Sequence, residues 1–133
     1  MKTIYTAIVL VAALIISPLS FAETTTTFNF HNQSNVRVQC AGELQGQDIA
    51  TIFSIPENGM TALPITILKL DPSKKTTFTF RCSVGNSAIT TGSVTWYGGG
   101  INLFCTCYKY GASCQYTCQF NQPQKSFTFS KSK

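Results

Sequence analysis

The chain reads as all-β: a single small antiparallel β-sandwich of about nine short strands, stapled by disulfides, with a small β-barrel as the alternative closure. Three observations predict it. Bulky and small polar residues alternate at period two, turn residues recur at short intervals, and six cysteines fall in 133 residues. Alternation places bulky side chains on one face of a pleated strand, as a half-buried antiparallel sheet requires.

The alternation is clearest in five places. Phe28 and Phe30 alternate with Thr27 and Asn29, and Val36, Val38 and Cys40 alternate with Arg37 and Gln39. Phe78, Phe80 and Cys82 alternate with Thr77, Thr79 and Arg81. Val94 and Trp96 follow Ser93 and Thr95, and Phe127 and Phe129 alternate with Ser126, Thr128 and Ser130. Gln45-Gly46-Gln47-Asp48, Pro56-Glu57-Asn58-Gly59, Asp71-Pro72-Ser73, Gly85-Asn86, Gly98-Gly99-Gly100, Gly111-Ala112 and Asn121-Gln122-Pro123 supply the turns. Strands are therefore predicted over 24–31, 35–42, 49–55, 61–70, 76–83, 88–97, 101–110, 114–120 and 125–130. Pro64 makes the fourth an edge strand or a break, with a short helical turn as the other option.

The first 22 residues have the form of an export signal. Lys2 precedes an uncharged run from Ile4 to Ile16, Pro18 interrupts it, and Ser20-Phe21-Ala22 offers small residues for cleavage before Glu23. The apolar run is shorter than the ~20 residues that cross a bilayer as a helix. Cleavage leaves 23–133 as one domain without a transmembrane segment, secreted or periplasmic, with nine Lys and Arg against five Asp and Glu. This mild excess of positive charge predicts at most weak attraction to anionic surfaces. No nucleic-acid motif is present, and export makes nucleic acid an improbable partner.

Outside the cytoplasm the cysteines read as staples. Cys105, Cys107, Cys114 and Cys118 form a C-x-C-x6-C-x3-C cluster, with Cys40 and Cys82 upstream. Six cysteines allow fifteen connectivities. Cys40 and Cys82 both end apolar-faced strands, which favours pairing them and leaves two bridges within the cluster. A hairpin turning at 110–113 would put all four clustered sulfurs on one side. With Cys105 opposite Cys118, a Cys107–Cys114 bridge would then need a bulge on the second strand. A four-thiolate zinc site is the rival, but the cluster lacks two-residue knuckle spacing and His31 lies far upstream.

Two cysteines some forty residues apart in a β-sandwich resemble the pair in chaperone-assembled pilins. The resemblance covers Cys40 and Cys82 only. Phe127 to Lys133 does not look like the C-terminal assembly strand of that family.

No catalytic constellation is expected. His31 is the one histidine, no G-x-S-x-G motif is present, and Gly98-Gly99-Gly100 lacks the helix and Lys-Ser/Thr of a phosphate loop. No metal or cofactor site is predicted. The candidate binding residues are aromatic. Trp96 and Tyr97 precede the triple glycine, while Phe104, Tyr108 and Tyr110 lie on the face opposite the cysteines. Such side chains can stack on sugar rings or anchor a protein. The predicted function is therefore a secreted, non-enzymatic binding or host- and surface-interaction module for a protein or carbohydrate ligand. A membrane-active or antimicrobial protein is the alternative, with a small hydrolase or a metal carrier behind it.

Overall fold

The computed structural model describes residues 23–45, 49–68, 70–71, 73–108 and 114–132. The expected export segment, Tyr110 and the expected turn at 110–113 lie outside them. Nine strands form: β1 (Thr24–Asn32), β2 (Val38–Leu44), β3 (Ile49–Ile55), β4 (Gly59–Ile67), β5 (Thr76–Val84), β6 (Ser87–Tyr97), β7 (Gly100–Cys107), β8 (Tyr116–Asn121) and β9 (Ser126–Lys131). They make two sheets, in orders β4-β1-β9-β8 and β3-β2-β5-β6-β7. The sheets do not close into a barrel, so the architecture is a disulfide-stapled sandwich.

Pro64 falls on β4, an edge strand, where its missing N–H deprives no ladder of a donor. The β1–β9 pair is parallel, unlike every other ladder. Alternation says which side chains turn inward but not which way a neighbouring strand runs, so an all-antiparallel expectation is corrected here.

The inward positions build one core. Phe28, Phe30, Phe78, Phe80, Phe127 and Phe129 are all buried, as are Val38, Cys40, Cys82, Val94 and Trp96. Phe30 lies at its centre. Its ring centroid is 4.9 Å from Phe53, 5.2 Å from Phe80 and 5.0 Å from Phe127. Aromatic pairs at such separations contribute about 0.5–1.5 kcal/mol beyond the area they bury. Gly42 and Gly92 stand either side of Phe80 in register. A Cβ at Gly92 would meet the Phe80 ring and would lie 2.6 Å from the Phe104 carbonyl oxygen. The bare backbone there makes room for phenylalanine.

Val36 departs from the expected pattern. It is exposed, because β2 begins only at Val38 and the preceding residues bend around the buried amide of Asn32. Asn32 Nδ2 donates to the carbonyl oxygens of Val36, Ile55 and Pro56, while its Oδ1 accepts from the backbone N–H and hydroxyl of Ser34. One side chain thus joins the β1–β2 and β3–β4 connections, which both pass between the sheets.

All six cysteines are paired, so no thiolate is left for the zinc reading. Cys40–Cys82 bridges residues directly opposite each other on β2 and β5, with Cα atoms 4.0 Å apart. Cys105–Cys118 does something different. β7 and β8 lie in different sheets, so this bridge ties the two layers together at their border. The expected single-sheet hairpin is corrected, and with it the need for a bulge. Cys107 and Cys114 bridge across the connection between these strands, Cα atoms 6.0 Å apart.

Gly92→Ala is expected to destabilise the fold by about 1–3 kcal/mol, since a backbone carbonyl cannot yield as a flexible side chain would. Urea unfolding checks this. Replacing Cys40 and Cys82 together by alanine opens a loop of 42 residues and is expected to cost about 4 kcal/mol on the loop-entropy model. The Cys105/Cys118 double replacement, with a separation of 13, is expected to cost about 3 kcal/mol. Thermal melts of the two double variants test that order.

Candidate functional site

The aromatic layer of the core runs out at one end of the sandwich. Along β1 the inward positions pass from Phe30 and Phe28 to Thr26 and Thr24, which are too small to fill the same width. Opposite them on β6, Trp96 is the last inward residue before the hairpin. Between these strands lies a cavity of about 140 Å³. That is close to the volume of an apolar cavity known to accept a benzene ring.

The β6–β7 hairpin forms one wall. Gly98 and Gly99 both have positive φ, 60° and 82°, the requirement of a two-residue type I′ turn. The triple glycine is therefore a tight hairpin, with Gly100 already in β7 opposite Tyr97. Tyr97, Gly99, Gly100 and Ile101 line the cavity from this side. Leu70, Asp71 and Lys74, from the connection between β4 and β5, line the other. The walls are mainly apolar and the charges lie at the rim.

Trp96 is 3% exposed and its ring meets Phe28 edge-on at 5.9 Å. Its indole N–H is buried with no acceptor among the described residues. A buried donor left unpaired costs about 1–3 kcal/mol, so this group stands out against a core otherwise built from hydrocarbon. The hydroxyl of Thr90 shares that condition further along β6, beside Cys82 and Cys107 in register.

Asp71 is held in the charged form. Its Oδ1 accepts from the Ser73 hydroxyl at 2.7 Å and from the Ser73 backbone N–H at 3.0 Å. These bonds, with the nearby Lys74 ammonium, lower its pKa below the ordinary carboxylate value against a small opposing effect of burial. No partner of Oδ2 is found among the described residues.

The five aromatic residues singled out from sequence separate into two places. Trp96 and Tyr97 flank the cavity, Trp96 as a buried wall and Tyr97 as a rim residue that is 62% exposed. Phe104 and Tyr108 lie on the outer face of β7 and are exposed. Phe104 pairs with the exposed Phe120 across the border of the two sheets, ring centroids 6.4 Å apart. The Arg81 guanidinium lies 5.1 Å over the Tyr108 ring. Tyr110 lies outside the described residues.

Sequence reading missed Thr24, Thr26, Leu70, Asp71 and Lys74 as cavity residues, and Gln122 as its support. Gln122 Oε1 accepts from the Leu103 N–H at 3.0 Å, and its Nε2 donates to the Ile101 carbonyl. Its amide thus satisfies the open edge of β7 beside the cavity, as a neighbouring strand would.

His31 is half-buried on the outer face of the other sheet, opposite Met60 and Thr128. A shallower depression of about 400 Å³ lies on the outer face of the five-stranded sheet, lined by Ala41, Glu43, Ala50, Thr79, Arg81 and Thr91 among others. No helix among the described residues is long and apolar enough to cross a membrane. Three disulfides fit an oxidising, non-cytoplasmic compartment. No protein-family model matches the chain, and no curated protein is significantly similar to it.

Ser73→Ala is expected to raise the Asp71 pKa toward the ordinary carboxylate value, followed by the pH dependence of its side-chain carbonyl resonance. A carboxylate with a lowered folded-state pKa contributes stability fully above its unfolded-state value, and loses it as pH falls through the folded one. Ser73→Ala should weaken that acid-side dependence.

Proposed function

We propose that this chain is a non-enzymatic binding module, exported through cleavage after Ala22, which seats its ligand in the cavity at the β6–β7 end. One observation carries the reading. The cavity combines mainly apolar walls, Trp96, Leu70 and Ile101 among them, with the few polar groups of Thr24, Thr26, Asp71 and Lys74. Small-ligand sites have this composition: mostly hydrophobic and aromatic walls with a few fixed polar groups. A ligand seated there would displace water from the apolar walls that Trp96, Leu70 and Ile101 form.

The rim suits binding better than turnover. Asp71 is kept charged by its own turn, and His31 faces outward at the far end of β1 from Thr24 and Thr26. A general acid or base working near neutral pH needs a pKa moved toward neutrality, and that of Asp71 moves away from it. The exposed pair Phe104–Phe120 and the Arg81–Tyr108 contact offer further apolar area for a larger ligand.

Trp96 is the single tryptophan of the chain, so its emission reports on the cavity directly. Screening a library of ring-sized fragments against this signal is expected to yield saturable shifts. Tyr97→Ala should weaken them at least about tenfold, the scale of a stacking residue that anchors a ligand, while leaving the melting temperature nearly unchanged. Saturable binding that Tyr97→Ala leaves intact would place the ligand elsewhere. The N-terminal residue of the exported protein is expected to be Glu23.

A further inference from the structure

We infer that the ligand of the β6–β7 cavity is a neutral pyranose, either free or as the terminal residue of a glycan. This inference rests on the cavity being a ligand site and narrows what it takes. The volume, about 140 Å³, suits one six-membered ring rather than an extended chain.

The rim chemistry selects among rings. Asp71 brings a carboxylate and Lys74 an ammonium, so acceptor and donor face the mouth together with no net charge. A sugar hydroxyl both donates and accepts, and can bond to either group. Thr24 and Thr26 add two more hydroxyls on the β1 side. A charged ligand would gain from one of these two groups what it loses to the other, whereas a neutral polyhydroxylated ring can bond to both.

The walls agree with this. A pyranose presents an apolar C–H face, which packs on an aromatic ring, and the cavity wall supplies Trp96 beside Leu70 and Ile101. A plain hydrocarbon ring would fill the volume and offer nothing to the polar groups of Asp71, Lys74, Thr24 and Thr26 that line it. Hydrogen-bonding sites reject such analogues because their own polar groups then go unsatisfied.

The test uses the purified, oxidised protein and follows Trp96 emission together with saturation-transfer NMR. The probes are the methyl glycosides of glucose, galactose, mannose and N-acetylglucosamine, with benzyl alcohol and cyclohexanol as rings lacking the hydroxyl pattern. At least one glycoside is expected to bind saturably and more tightly than both control rings. Asp71→Asn, whose amide oxygen can still accept from Ser73, is expected to weaken that glycoside about tenfold, as loss of a charged hydrogen-bond acceptor does, with a cooperative melting transition retained. Binding of a control ring with no response to any glycoside would overturn the sugar assignment and leave the cavity a ligand site. Silence from glycosides and controls alike would remove both. If a glycoside binds but Asp71→Asn has no effect, the rim does not select it and the inference fails.

Discussion

Two sheets close over a single layer of phenylalanine, and Phe30 is the ring on which that closure depends. It projects from β1, between β4 and β9, and meets Phe127 from its own sheet and Phe53 and Phe80 from the other. A ring reaching across both layers couples their spacing. Gly42 and Gly92 belong to the same constraint, because their bare backbones let the rings of β5 lie close to the neighbouring strands. The core is thus set by where large rings meet absent side chains.

Aromatic packing fills the middle of the sandwich but not its borders, where backbone edges and crossing connections have to be secured otherwise. At one border Cys105–Cys118 ties β7 to β8 covalently across the gap between sheets. Nearby, Gln122 satisfies the Ile101 and Leu103 backbone groups that no strand reaches. Where the β1–β2 and β3–β4 connections cross between the sheets, Asn32 bonds to three carbonyls in and next to them. The two side-chain amides answer one physical demand, that buried backbone polar groups find partners, and the disulfide holds the border that Gln122 lies near.

The cavity follows from the end of the phenylalanine layer. β1 turns from phenylalanine to threonine just where β6 ends in Trp96, so the two facing strands leave space between them. The type I′ turn at Gly98-Gly99 folds β7 back beside that space, and the connection between β4 and β5 brings charge to its rim. A cavity at the margin of a rigid core needs no moving part. Its walls are held by the strands, and Asp71 is held by its own turn.

Period-two alternation by itself determined the strands and the inward phenylalanines, because side-chain parity is a local property of extended chain, and it favoured Cys40–Cys82 among the fifteen possible connectivities without deciding it. It also put Cys105 inward and Phe104 and Tyr108 outward on one strand. Pro64 marked an edge before any sheet was known. Tertiary structure alone decided that β1 and β9 run parallel and that β7 and β8 part into different sheets. It also turned Cys105–Cys118 into a border clasp rather than a rung of a hairpin. The cavity belongs to that second group. Thr24, Asp71 and Trp96 are far apart in the chain, and no local pattern records which strand ends will meet. Long-range pairing brings them together, and only there is the Trp96 indole enclosed without an acceptor among the described residues.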